Sequence, residues 1–391
     1  MCPFESCELT PRSNRRTQAD TLRIPSPILI LRGDETPIDA VMMRSRGTAK
    51  APGKELRLFV DAHNHLLMSH ADWDGNEPRA LPCDEIYFRL GQGRVGAAGL
   101  IVGGKRAFAQ RNPSSSWSGT LDALSQFWRG QAAASHRLQV IRSIENVDQI
   151  SVASPGLLLG LEGVSLCFDT PLKDPIAALH LLVQLGVRSV QLLAALPSPA
   201  FDTGVDRRAP PRLSMMGRAL LAEANRLGVL IDVSHLTGDD PAFEEILSAS
   251  TSPPIASHHS CRALNGSPHA LDDDAIRAIA EAGGVIGIHC GSQYLTNSGH
   301  QATTSNLMGQ IGHVVDLVGV DHVAIGTDYI DAARIPIALP ESTFMKGMEG
   351  PESFIRIDTA LADCGFSEAD RRRILSENVL RVWRAALATS S

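Results

Sequence analysis

Eight short apolar, β-branched runs recur between residues 58 and 326. They are Leu58–Ala62, Ala97–Val102, Leu157–Leu161, Val187–Leu193, Val229–Val233, Pro254–Ser257, Val285–Ile288 and His322–Gly326. Most are separated by stretches with helical spacing. Strands that alternate with helices imply parallel βα units, because a parallel partner is reached only by a long crossover. Runs that are apolar throughout fit strands buried on both faces. The intervening helices are legible too. Asp174–Leu185 carries Ile176, Leu179, Leu182 and Val183 on one face. Ser214 can cap Met215–Leu227, and Asp272–Ala282 is acidic in its first turn. Gln310–Val318 is a further helix, Ser367 with Asp370 resembles a capping box, and residues 377–388 form a last amphipathic helix. The fold class is therefore α/β, a (β/α)8 TIM-type barrel over residues 56–391. A doubly wound open sheet is the runner-up, and the lack of a G-x-G-x-x-G loop after the first strand counts against it. Residues 1–55, rich in Arg, Ser, Thr and Pro, show no sustained period and read as an irregular N-terminal arm with a short strand at Ile28–Arg32.

Composition narrows the function classes. The 391 residues carry 36 Lys plus Arg against 43 Asp plus Glu, a formal charge of −7. That balance argues against general nucleic-acid or anionic-membrane binding. No apolar run approaches the roughly 20 residues of a membrane helix. The first residues lack the apolar core of a secretory signal, so the expected location is cytoplasmic. The seven Cys show no C-x-x-C spacing and read as free thiols.

In a barrel of this kind the site lies at the C-terminal ends of the strands. The residues found there are unusual. Asp61-Ala62-His63-Asn64-His65 follows the first run, and side chains at i and i+2 of a strand share a face, so His63 and His65 can face one metal. Glu162 follows the third run, His235 the fifth, His258 and His259 the sixth, and Asp328 the eighth. A single His at a strand end is more often a hydrogen-bonded rim residue than a ligand. The coincidence of six ligand-type residues, His63, His65, Glu162, His235, His258 and Asp328, all at C-terminal strand ends shifts the balance to a metal centre. Imidazole and carboxylate suit zinc and its neighbours. A bridging carboxylate would allow two ions roughly 3.5–4 Å apart, a hydrolytic arrangement, with Asp328 moving protons. His258 should point inward and His259 sideways. His289 ends the seventh strand, either in the pocket or on its rim. His70, His136, His180, His300, His313 and His322 fall on helices or loops and read as ordinary surface residues.

These segments resemble the renal (membrane) dipeptidase family of metallopeptidases, among the amidohydrolase-like barrels. The motifs VDAHNHL, LGLEG, RLSMMGRALLAEANRLGVLIDVSHLT, PPIASHHSCRAL, LDDDAIRAIAEAGGVIGI, DHVAIGTDYID and ILSENVLRVW carry the likeness over residues 58–385. The resemblance implies two zinc ions and cleavage of a small amide or dipeptide by a metal-activated water. By position, His63 and His65 would bind one ion, Glu162 would bridge, His235 and His258 would bind the other, and Asp328 would be the proton-transferring acid. Family members are often dimers, so a homodimer is the implied assembly, with a small-molecule or dipeptide-like substrate as the ligand.

Three departures stand out. The family usually has Asp where this chain has His65. Its substrate-contacting His on the fourth strand is matched by Ala194, and its carboxylate-binding Arg by His269. Imidazole lacks the planar two-donor fork of a guanidinium. His269, His289, Ala194 and Tyr329 are thus assigned to a rebuilt substrate shell, and a changed substrate is expected. A tailoring enzyme acting on a non-dipeptide metabolite is the alternative, and a non-enzymatic relative is disfavoured by the retained metal positions. The insert at 331–350 follows the eighth strand and is read either as a lid or as a variable surface loop.

Overall fold

The computed structural model describes residues 57–67, 83–103, 117–193, 198–201, 212–297, 300–330 and 340–389. The predicted arm at 1–55 lies outside them, as do Ala194, His70 and the first part of the 331–350 insert. All eight apolar runs form strands. They are β1 Phe59–Asn64, β2 Val95–Gly103, β4 Gly156–Glu162, β5 Val187–Gln191, β6 Leu230–Asp232, β7 Ile255–His259, β8 Val285–Ile288 and β9 Val323–Ile325. A two-residue strand, β3 Gln139–Val140, pairs beside β4 and has no apolar run to announce it. The main order is β1-β2-β4-β5-β6-β7-β8-β9, every pairing parallel. β1, β2 and β4 are buried along their whole length, which explains their unbroken apolar sequence.

The sheet closes nearly on itself. Beyond the last residues of β9, the Asp328 N–H donates to the His63 carbonyl at 2.9 Å and the His65 N–H to the Tyr329 carbonyl at 2.9 Å. The result is the expected (β/α)8 barrel. Two glycines permit the tight inner packing. A Cβ on Gly287 would lie 1.9 Å from the Ser257 carbonyl oxygen, and one on Gly326 would lie 1.7 Å from the same atom.

Helices cover the outside. They include α1 Cys83–Gln92, α2 Trp117–Ala133, α3 Pro175–Gln184, α4 Met215–Arg226, α5 Pro241–Ala249, α6 Asp273–Glu281, α7 Thr304–Val318, α8 Ser353–Asp363 and α9 Asn378–Leu387. Side chains of Asp174, Ser214 and Asp272 cap α3, α4 and α6 as their sequences suggest. α7 starts six residues before the predicted Gln310, because a Thr303–Asn306 capping box sets its start outside the apolar stripe. No helix among the described residues is long and apolar enough to cross a membrane.

The two ends of the barrel are finished differently. At the N-terminal end, Val60, Ala97, Leu158, Leu230, Ile255, Val285 and Ala324 form one cluster with Val379, Leu380, Val382, Trp383, Ala386 and Leu387 of α9. α9 is the barrel's stopper, with Trp383 only 1% exposed. The Asn378 side chain ties it to the Val320 and Val323 carbonyls, both at 2.8 Å. At the other end, Phe344, Met345 and Met348 are buried, and the Phe344 ring packs 5.8 Å from that of Tyr329.

Candidate metal centre

The C-terminal end of the barrel gathers six titratable side chains. His63 and His65 alternate out of β1 onto the same side, with their Nε2 atoms 3.2 Å apart. Glu162 ends β4 and is fully buried. Its Oε2 lies 3.0 Å from His65 Nε2 and 3.7 Å from His63 Nε2, while its Oε1 lies 2.7 Å from His235 Nε2. One carboxylate therefore serves both halves of the cluster. His258, on β7, sets its Nε2 3.3 Å from that of His235. Asp328 completes the first half, with Oδ1 at 2.8 Å from His65 Nε2 and 3.7 Å from His63 Nε2. Two donor groups share Glu162, His63–His65–Glu162–Asp328 and Glu162–His235–His258, each with ligand atoms within 4.8 Å of one another, and His63–Asp232–His258 meets the same limit.

Local backbone geometry aims two of these side chains. His235 has φ +70° and Asp328 has φ +50°, both left-handed without being glycine. Such conformations cost energy in isolation and persist where surrounding contacts fix them. The contacts at Asp328 are plain. Asp61 accepts the Thr327 N–H at 2.9 Å and the Thr327 hydroxyl at 2.7 Å, together with the Asn64 amide and the His63 N–H, each at 3.3 Å. Asp61 thus joins β1 to the residue before Asp328. Burial pushes its carboxyl up to about 6, against the lowering effect of those hydrogen bonds.

A second layer stands behind the imidazoles. Ser257 Oγ is 3.0 Å from His63 Nδ1 and 3.0 Å from His258 Nδ1. The Gln191 amide is 3.3 Å from His63 Nδ1 and donates to Asp232 Oδ2 at 2.9 Å. Asp232 Oδ1 accepts the Ser234 and Ser257 N–H groups at 3.0 and 3.1 Å. Such partners hold a ligand imidazole in orientation. Sequence reasoning missed Asp61, Gln191, Asp232 and Ser257. Their one sequence signal is that polar residues stand inside or beside otherwise apolar strand runs.

The donor set suits a divalent cation. Burial holds His63 below its usual range, and holds His258 well below it, with the neighbouring His63 adding to the effect. A neutral imidazole offers a lone pair, and here the Nε2 atoms and the carboxylate oxygens converge in a region already stripped of water. His259 is also buried, its imidazole pushed down to about 3 by desolvation, and it belongs to neither donor group.

The residues assigned to substrate are more scattered. His289 is buried, with Nε2 3.0 Å from Asp328 Oδ2. Tyr329 is buried, its hydroxyl bonded to Arg89, whose guanidinium lies 5.2 Å from the ring centre. His269 is exposed on the loop after β7, its N–H on Ser267 Oγ at 3.2 Å. Ala194 lies outside the described residues. Of the histidines read as ordinary, His136, His180 and His313 pair with Asp84, Glu223 and Asp273, and His322 bonds the Gly284 carbonyl.

Comparison with known proteins agrees with this architecture. The chain is 25% identical over 354 residues to an uncharacterized dipeptidase of Schizosaccharomyces pombe, covering 83% of this chain and 80% of the relative. It is 26% identical over 341 residues to the dipeptidase tcpJ of Claviceps purpurea, covering 83% and 76%. Its fold matches the crystal structure of a metallo peptidase from Rhodobacter sphaeroides liganded with a phosphinate mimic of the dipeptide L-Ala-D-Ala. That match has a TM-score of 0.66 and 19% identity, covering 84% of this chain and 99% of the other. The family model described as membrane dipeptidase, peptidase family M19, matches residues 54–391. A barrel with this mouth and a family match across its whole length place the chain in the membrane dipeptidase family, M19, as a metal-dependent hydrolase.

Proposed function

We propose that this protein cleaves the amide bond of a small dipeptide-like substrate altered from the family's usual one, and that it does so with two zinc ions. The observation that carries the reading is the sharing of Glu162 between the His63–His65–Asp328 and His235–His258 groups. His63, His65 and Glu162 would hold one ion, and Glu162, His235 and His258 the other, with Asp328 beside the first as the proton-moving group. When bound, such ions polarise an amide carbonyl and make a hydroxide available near neutral pH. The chain's own residues do the rest. Asp328 Oδ1 faces the cluster, placed to take a proton from the attacking water and return it to the leaving amine. Burial of His63, His65, Glu162 and His258 keeps bulk water from screening these charges. His65 adds a neutral donor where the family usually has a carboxylate, which leaves more positive charge on the ions. His269 offers a single-point contact in place of a bidentate fork, which favours a substrate whose carboxylate is modified or held elsewhere. The formal charge of −7 fits a small-molecule ligand rather than a nucleic acid.

Metal analysis followed by a substrate panel tests the proposal. The expected result is about two zinc equivalents per chain and hydrolysis of some dipeptides or N-acyl amino acids, including ones with a D-residue second. A protein that binds no divalent ion on titration, or one that is fully loaded yet cleaves no amide in the panel, overturns it.

A further inference from the structure

We infer that His289 is the positioning residue for Asp328, held in a single tautomer by the backbone of Gly291. The inference rests on the reading of Asp328 as the proton-moving group. The Gly291 N–H lies 2.7 Å from His289 Nδ1. A backbone amide can only donate, so Nδ1 carries the lone pair and the ring hydrogen of the neutral imidazole sits on Nε2. That Nε2 lies 3.0 Å from Asp328 Oδ2, so the ring donates to the carboxylate.

The ring is fixed from its other sides as well. It is 2% exposed, and it stacks on Tyr294 with centroids 3.9 Å apart and planes at 26°. Gly291 is itself pinned by a β-bridge to Phe344. It has to be glycine to come so close, because a Cβ there would lie 2.7 Å from His289 Cε1 and 3.1 Å from Nδ1. Asp328 in turn is anchored through its own N–H on the His63 carbonyl. With Oδ2 bonded to His289, Oδ1 is the oxygen turned to His65 and His63. In the reaction one O–H bond of water breaks as its oxygen bonds to the amide carbonyl carbon, the proton goes to Asp328 Oδ1, and the same proton passes to the amine nitrogen as the C–N bond breaks, leaving a carboxylic acid and an amine. His289 keeps its Nε2 hydrogen throughout and neither gains nor loses a proton. Its work is to stop the carboxylate turning and to keep one defined oxygen on the reacting side.

The test has a spectroscopic arm and a kinetic arm. Nitrogen-15 NMR of histidine-labelled, metal-stripped protein reads the tautomer directly, and the signals lost in His289→Gln assign the ring. The expected pattern is a lone pair on Nδ1 and hydrogen on Nε2. The opposite tautomer overturns the inference. In the kinetic arm, His289→Leu removes the donor while His289→Gln keeps an N–H near the Nε2 position. We expect Leu to lower kcat about 10–100-fold, with KM and bound metal little changed, and Gln to recover most of the loss. Equal loss in both variants, or loss of metal in His289→Leu, overturns the inference in favour of a packing role. Should His289→Leu fail to fold, Gly291→Ala displaces the ring by its new methyl and is expected to lower kcat with metal retained. A panel in which no amide is cleaved refutes the proposed function, and the tautomer measurement still decides the placement of His289.

Discussion

The two ends of the barrel are built from the same strands and follow opposite rules. Val60, second residue of β1, lies inside an apolar plug, and His63, three residues on, stands in the cluster of imidazoles and carboxylates. The same contrast runs along β4 from Leu158 to Glu162 and along β7 from Ile255 to His258. One end gains stability from non-directional burial, and α9 packs Val379, Leu380, Val382, Trp383, Ala386 and Leu387 against it. The other end concentrates buried polar groups that cost free energy unless partnered. Function therefore occupies the end where the fold is least favoured by burial alone, and the stopper at the far end offsets that cost.

A crossed pair of substitutions breaks this comparison most sharply. Glu162→Gln removes the shared charge. It should lower activity on the order of 10⁴-fold and weaken metal retention, with the stability of metal-stripped protein within about 1 kcal/mol of the parent. Trp383→Ala should do the reverse, costing about 3–5 kcal/mol in urea unfolding while the folded fraction binds metal normally. If either variant shifts both readouts together, the two ends are not independent.

The next effect is pH dependence confined to the polar end. Burial holds the His63 and His258 imidazoles down and His259 at about 3, whereas the unfolded chain protonates near 6.5. Below 6.5 the unfolded state binds more protons, so stability should fall as pH drops from 6.5 toward 3. Each ring contributes up to about 1.4 kcal/mol per pH unit within its window. Asp61 works in the other direction. Its folded carboxyl is raised to about 6, so its unfavourable contribution is relieved as pH falls from 6 toward 3.8, which offsets part of the loss. Urea midpoints of metal-stripped protein, measured across mildly acid pH, should therefore decline, and His259→Gln should flatten the decline by one ring's share. A pH-independent midpoint would refute the assignment.

The smallest expected effect belongs to neither end. Ser367 and Asp370 form the predicted capping box on an exposed turn before α9. Ser367→Ala should cost about 1 kcal/mol by thermal melt and leave metal binding untouched.

What was legible in the sequence follows the same division. The strands could be read because two-sided burial demands unbroken apolar runs. The metal-facing residues could be read because each stands at the end of such a run or within three residues past it. The supporting layer could not. Ser257 contacts His63 across 194 residues, and Gln191 contacts the same ring across 128, so no local pattern announces either contact. His289 was recognisable as the end of β8, but its tie to Asp328 depends on how close Gly291 comes to the ring. α9 was legible as an amphipathic helix, while its place beneath the strands depends on the closed sheet. A π-helical turn at Arg373–Glu377, just before α9, was not foreseen.

The bond from Thr327 to Asp61 joins residues 266 apart in the chain. It belongs to the seam where the last strand meets the first, and Asp328 stands one residue beyond it. A chain lacking its final strand holds His63, His65 and Glu162 but has no seam to set their geometry. The geometry of this donor cluster is thus complete only in a finished barrel, because the contact forms only after a loop of that length has been closed.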